Sequence, residues 1–277
     1  MTSPHPEIRP GQSVELLKQL HILTRDGKLN QDSRRKLKQV YHLYQFIEPL
    51  LAEALAERPD IELVDHGAGK SYLGFILYDL FFKAQAPDGR IHGIETRDEL
   101  VMSSRRLADK LGFSAGMRFQ NLSVADSISS DRLPARIDIV TALHACNTAT
   151  DDAIRFALKK GARAIVLVPC CQAEVAAVLR RNKQQALRDP IAELWRHPIH
   201  TREFGSHVTN VLRCLQLEAH GYEVTVTELV GWEHSMKNEL IVARRQPDRP
   251  RQRAAERLAA LLRMLGLEEL SERFFTG

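Results

Sequence analysis

A chain of 277 residues, 44% hydrophobic and 27% charged, has the balance of a globular protein with one large domain and room for appendages. No apolar run reaches membrane-spanning length, and the opening Met1-Thr-Ser-Pro-His-Pro6 lacks the charged-then-apolar order of a signal peptide. Four cysteines, two of them adjacent, make no disulfide framework and point to a reducing cytoplasm, while a net charge of +4 permits an anionic partner without demanding one.

Residues 1 to about 12 read as a loose arm. Ser13 to Leu23 predicts a short helix, and Thr24-Arg-Asp-Gly27 a turn. Asn30 or Asp32 can cap the next helix. Leu37, Val40, Tyr41, Tyr44, Ile47 and Leu51 fall on its apolar face. Arg34, Arg35, Lys36 and Lys38 open it, as a solvated basic end or as a phosphate-contacting flank. Pro49 sits inside the pattern and predicts a kink or a fresh start.

The stretch Ile61 to Leu73 organises the chain. Ile61 to Val64 is a short apolar run and reads as a buried strand. Asp65-His-Gly-Ala-Gly69 then turns the backbone, and glycine belongs where a chain turns tightly and lets a ligand approach. Tyr72 to Phe82 predicts a helix apolar on all sides, hence buried. Ile91 to Glu95 is the second strand. Glu95 ends it a little under thirty residues after the glycine turn, where an acid is placed to accept both hydroxyls of a ribose. Asp98 to Leu111 is an amphipathic helix, Met117 to Gln120 a third strand, and Asn121 to Asp126 a loop facing the base of a bound nucleotide.

Arg136 to Ala142 is the fourth strand and leads into Leu143-His-Ala-Cys-Asn-Thr-Ala-Thr-Asp-Asp152. Thr148 with Asp151 has the spacing of a capping box. Ala162 to Val168 is the fifth strand, ending in Pro169-Cys-Cys-Gln172, and a helix follows from about Ala173 to Leu187. Residues 188–205 are irregular and rich in Arg, His and Pro; a helix from about Ser206 to His220 comes next. Tyr222 to Leu229 and Glu239 to Arg245 are two strands joined by a loop, which predicts an antiparallel edge pair. Ala254, Leu258, Leu261 and Leu265 mark a closing helix with Gly266 as its stop.

Five strand–helix units, a terminal hairpin and an acid after the second strand resemble a class I S-adenosylmethionine-dependent methyltransferase. A dehydrogenase fingerprint would place a third glycine where Tyr72 stands. Leu143-His-Ala-Cys146 with Ala149-Thr-Asp151, and the Cys170-Cys171 pair, are similar to a subgroup that includes the glutathione S-transferase C-terminal domain-containing protein, methyltransferase-like proteins and acceptor-stem tRNA 2′-O-methyltransferases. Asn147 replaces the subgroup's usual glycine, and His66 intrudes in the glycine turn. The resemblance implies a Rossmann-like α/β fold: a seven-stranded, mostly parallel sheet with an antiparallel C-terminal hairpin. It implies a helical extension over 1–58, an S-adenosylmethionine-binding domain over 59–245 and a helical tail over 246–277.

On this reading Asp65, Gly67, Ala68 and Gly69, with Tyr72 beside them, surround the amino-acid end of the cofactor. Glu95 holds the ribose. Thr96, Leu122, Ser123 and Val124 flank the adenine, and Leu143 borders the pocket. His144 and Cys146 leave the fourth strand toward the sulfonium. His144 is either a base that removes an acceptor proton or a structural histidine bonded to backbone. Cys170 is either a nucleophile or, with its fellow cysteines, packing in the pocket floor; no metal is expected, because the spacing lacks a Cys-x-x-Cys knuckle. Lys237, Asn238 and Arg196 are candidate substrate contacts, set against the alternative of solvated surface residues. The favoured acceptor is RNA, tRNA above all. A small molecule or a protein as acceptor, and a non-catalytic cofactor-binding interaction module, stand as the alternatives.

Overall fold

The computed structural model describes residues 7–143, 145, 148–169, 172–182, 190–229, 239–248 and 250–275. In chain order its elements are α1 (Val14–Gln19), α2 (Gln31–Glu57), β1 (Glu62–His66), α3 (Tyr72–Leu77), β2 (Arg90–Glu95), α4 (Asp98–Leu111), β3 (Met117–Asn121), α5 (Val124–Ser127), β4 (Ile139–Leu143), α6 (Thr148–Lys160), β5 (Ala164–Val168), α7 (Glu174–Arg181), α8 (Pro198–Ala219), β6 (Tyr222–Glu228), β7 (Glu239–Arg245), α9 (Gln252–Met264) and α10 (Ser271–Phe274).

The strands form one seven-stranded sheet in the order β3-β2-β1-β4-β5-β7-β6. β1 to β5 are parallel, and β7 runs antiparallel to both β5 and β6. β1 and β5 are buried at every position, as strands covered on both faces must be. One face carries Leu63, Ile91, Phe119, Ile139 and Val166, packed under α1, α2, α3 and α4. The other carries Val64, Ile94, Val140, Ile165 and Ile241, packed against Ile154 and Phe156 of α6. A third apolar cluster joins α7, α8 and α9 through Leu179, Leu212 and Leu258. From β1 the chain winds outward to β3; from β4 it winds the other way. That reversal between β1 and β4 opens a crevice at the carboxyl ends of the strands, where open α/β sheets take their ligands.

Four local expectations are corrected. The helix over Ser13–Leu23 stops at Gln19, capped at its start by the Ser13 side chain, and His21 then takes a left-handed φ of 54°. α2 runs unbroken through Pro49, because Ile47, Leu50 and Leu51 on both sides of the proline are locked in the core. The apolar helix from Tyr72 widens into a π turn over Tyr78–Phe82. There the Asp79 carboxylate turns inward, accepts the Ser13 amide at 2.7 Å and pairs with Lys83 at 2.6 Å. α8 begins at Pro198 rather than Ser206, since a proline in the first turn needs no helical N–H partner. The expected antiparallel pair is present at one edge of the sheet, with β6 outermost and β7 between it and β5.

The candidate cofactor crevice

β1 delivers Asp65 to the point of reversal. Its side chain is buried, and Oδ1 accepts a 2.6 Å hydrogen bond from the Thr141 hydroxyl of β4. Burial raises the Asp65 pKa to about 6, against the lowering effect of that hydroxyl. The chain then turns with three left-handed residues: Gly67 at φ 66°, Gly69 at 58° and Ser71 at 52°. The first two positions suit glycine; the third carries a Cβ and sits buried against Gly74. Ala68 N–H donates to the Ile94 carbonyl at 3.0 Å and so ties the turn to β2. A Cβ on Gly67 would lie 3.7 Å from Ala145, so this turn and the chain beyond β4 lie side by side.

Glu95, at the end of β2, faces the same turn. Its Oε2 accepts the Gly69 N–H at 2.9 Å. Its Oε1 accepts the Arg97 backbone N–H and the Arg97 Nε–H, both at 3.0 Å, and Arg97 Nη2 reaches Oε2 at 3.2 Å. Burial alone would raise the pKa of this carboxylate; the hydrogen bonds from Arg97 and Gly69 outweigh it and bring the value down to about 2. Arg97 is itself well exposed, with a side-chain exposure of 60%, so its guanidinium is a removable cover on a fixed acid. Thr96 adds a hydroxyl bond to Oε1 at 3.3 Å.

The remaining wall follows β3. Leu122 N–H donates to the Glu95 carbonyl at 3.2 Å. Ser123 caps α5 by accepting the Asp126 N–H at 3.0 Å, which leaves Leu122 and Ser123 half-buried beside Thr96 and Val124 buried. Asn121 clamps this stretch to the Thr96 carbonyl at 3.2 Å. Tyr72, at the start of α3, and Leu143, at the end of β4, are half-buried on either side. Asp65, Gly67, Gly69 and Glu95 are thus brought to one edge of the sheet, with Thr96 and Leu122 to Val124 following on from Glu95.

His144, Cys146, Asn147, Cys170, Cys171, Lys237 and Asn238 lie outside the described residues. Arg196 stands exposed between Trp195 and α8, its guanidinium 3.2 Å from both oxygens of Glu193. His66 does not intrude in the crevice. It is the last residue of β1, points to the α6 face and lies edge-on to Phe156. The Ser127 hydroxyl donates to the Val124 carbonyl, so it accepts from His66 Nε2–H at 2.9 Å. Burial depresses the imidazole to a pKa of about 3 and keeps it neutral.

Sequence reasoning missed one polar cluster. Arg213 of α8 is fully buried and makes a two-pronged ion pair with Asp151, at 2.7 and 2.9 Å. Asp151 therefore serves a long-range pair rather than the capping box that Thr148-x-x-Asp151 predicts. Asn210 bridges this pair to Glu239 at the start of β7 and to Gln172 just past β5. An arginine on an otherwise apolar helix face was the available signal.

A glycine turn and an acid facing each other at the carboxyl edge, in a sheet whose last inserted strand is antiparallel, define an α/β protein of the methyltransferase type. A family model described as a methyltransferase domain matches residues 35–178, more than half of the chain, and the chain belongs to that family. A Klebsiella pneumoniae protein described as a candidate O-methyltransferase shares the fold with a TM-score of 0.51 and 12% identity, over 86% of this chain and 92% of its own. A Staphylococcus aureus candidate caffeoyl-CoA O-methyltransferase gives 0.47 and 9% over 84% and 92%. The Geobacter metallireducens precorrin-6y C5,15-methyltransferase gives 0.39 and 20% over 72% and 86%. No curated protein sequence matches the chain.

Proposed function

We propose that this methyltransferase uses S-adenosylmethionine and that its acceptor is RNA, tRNA above all. The observation that carries the cofactor assignment is the meeting of the Gly69 N–H and the Glu95 carboxylate at a turn of left-handed glycines on the carboxyl edge of the sheet. The residues fit such a group. Glu95 offers two acceptor oxygens for a ribose once Arg97 swings aside, and the buried Asp65 carboxyl suits a cationic amino group beside Gly67, Ala68 and Gly69. Thr96, Leu122, Ser123 and Val124 would flank the adenine, with Tyr72 and Leu143 at the borders. The bound group supplies an electrophilic methyl on a sulfonium. The chain's own part is to orient the acceptor in line and exclude water, which supplies much of the acceleration. For a hydroxyl acceptor, His144 is the proposed proton acceptor, with Cys146 and Cys170 as further proposed catalytic residues.

The cations Arg34, Arg35, Lys36 and Lys38 at the start of α2 support a polyanionic acceptor, with Lys237, Asn238 and Arg196 as further proposed contacts. Calorimetry with S-adenosylhomocysteine tests the cofactor, and a filter assay with labelled S-adenosylmethionine and total RNA tests the acceptor. Absence of binding heat removes the first; label transfer to no RNA fraction removes the second.

A further inference from the structure

The positive charge of this chain is concentrated in one short segment. Residues 18–38 hold seven Lys or Arg and two Asp, a net of +5, whereas the whole chain is +4; everything else sums to −1. That segment runs from the end of α1 into the start of α2, within the N-terminal layer whose apolar side chains join the core and whose Ser13 amide is held by the Asp79 carboxylate.

The layer forms one wall of a cleft of about 850 Å³, and the outer face of α4 forms the other. Lys18, His21 and Arg25 line the first wall; Arg106 and Lys110 line the second. Among the described lining residues the one acid, Glu15, is already engaged by Lys110 at 3.2 Å and by Gln19 at 2.9 Å. Arg25 and Arg106 form no ion pair with any described residue. Neutral donors complete the cleft: the Ser103 hydroxyl, and the amide of Asn30, whose oxygen is occupied by the Ser33 N–H. Cations from two separate elements face one open space, and the described residues of its walls offer too few acids to neutralise them. Such a surface attracts phosphate oxygens.

We infer that this cleft holds phosphates of the RNA substrate's backbone, at a distance from the reacting atoms. The inference rests on the proposed RNA acceptor and extends it to a location. Arg106 lies on the helix that starts just after Glu95, and eight residues of helix from Asp98 place it about 12 Å from that edge. A ligand that touches both must be extended, as a polynucleotide is and a small phosphorylated metabolite is not. A lipid surface fits less well. The segment exposes none of the chain's large apolar side chains, which a membrane-seated face needs beside its cations.

The test compares three full-length proteins by fluorescence anisotropy with a short fluorescein-labelled single-stranded RNA, across a salt series. They are the parent, the variant Lys18→Glu/Arg25→Glu/Arg106→Glu, and an equal-charge control, Lys159→Glu/Arg253→Glu/Arg263→Glu, on exposed positions elsewhere. Thermal melts and S-adenosylhomocysteine calorimetry establish that each is folded and competent for cofactor. The cleft variant should bind RNA roughly tenfold or more weakly than the control, with a slope of log K on log salt shallower by about 2, the value for three lost single-strand phosphate contacts. Equal losses in the two variants, or none, would overturn the cleft while leaving the RNA acceptor standing. A parent that binds no RNA yet gives cofactor heat would overturn both the cleft and the RNA acceptor, but not the methyltransferase. Equal retention of parent and cleft variant on phosphatidylserine vesicles should accompany the first result; selective loss on vesicles together with unchanged RNA binding would assign the cleft to a membrane instead.

Discussion

Glu95→Gln tests the proposed cofactor site at the acid that faces its glycine turn. The carboxylate accepts Gly69 N–H on one oxygen, and Arg97 N–H and Nε–H on the other. An amide keeps the shape but turns one acceptor into a donor, so one of these N–H groups, or one ribose hydroxyl, meets an N–H instead. Hydrogen bonds to a charged acceptor contribute about 1.5–3 kcal/mol each, against about 1 for a neutral one. Losing the charge on two such bonds and setting one donor against another costs about 2–3 kcal/mol of binding, roughly a 30- to 150-fold weaker dissociation constant for S-adenosylhomocysteine. Titration calorimetry measures it. Arg97→Ala is the informative companion. It removes an exposed cover from the same acid and should leave affinity unchanged or raise it, by roughly fivefold at most. If the glutamine variant binds within threefold of the parent, Glu95 does not grip the sugar and the crevice has been wrongly assigned.

Other consequences follow from the buried polar groups. His66 is held neutral, so the unfolded chain takes up a proton below about pH 6.5 that the fold refuses, and stability falls from there toward pH 3. Asp65 works in the opposite sense: its folded pKa of about 6 exceeds the unfolded 3.8, so the fold gains stability as pH drops through that window. The two nearly cancel between pH 6 and 4. Asp65→Asn should therefore expose a loss of about 1.4 kcal/mol per pH unit there, seen as a falling urea midpoint; a midpoint parallel to the parent's would contradict it. Arg213→Met leaves Asp151 buried without its partner and should cost about 3–5 kcal/mol, while Arg213→Met with Asp151→Asn should recover most of it, as read from urea unfolding. In Gly205→Ala the new methyl would sit 2.8 Å from the Ala176 backbone nitrogen, forcing α7 from α8; a loss of about 1–3 kcal/mol is expected, and an unchanged melting temperature would mean that the two helices separate freely.

The parts of the fold that were legible are those set by neighbours in sequence. Apolar runs located β1 and β5, the turn before Ile91 located β2, and the amphipathic period of α4 located both of its ends, Asp98 and Leu111. The glycine turn and its facing acid were legible because their geometry depends on two short segments. Pairings over long separations were not. Arg213 with Asp151, and Ser13 with Asp79, bring together residues far apart in the chain that carry no local mark of each other. Arg97 over Glu95 was missed for a different reason: an i, i+2 contact in a turn depends on side-chain direction, which composition does not encode. The interior place of β7 was recoverable, since Leu240 to Ala243 is an unbroken apolar run while β6 alternates.

The π turn at Tyr78–Phe82 has a bearing on descent. Each residue of an ordinary helix advances a side chain by roughly 100°, so a register one residue shorter would swing Asp79 away from the Ser13 amide. The basic N-terminal layer is moored at that point by a carboxylate whose aim depends on a surplus residue. Among kindred chains the two traits should be inherited as a pair, and a lineage that trimmed the turn should also have shed or re-anchored the layer.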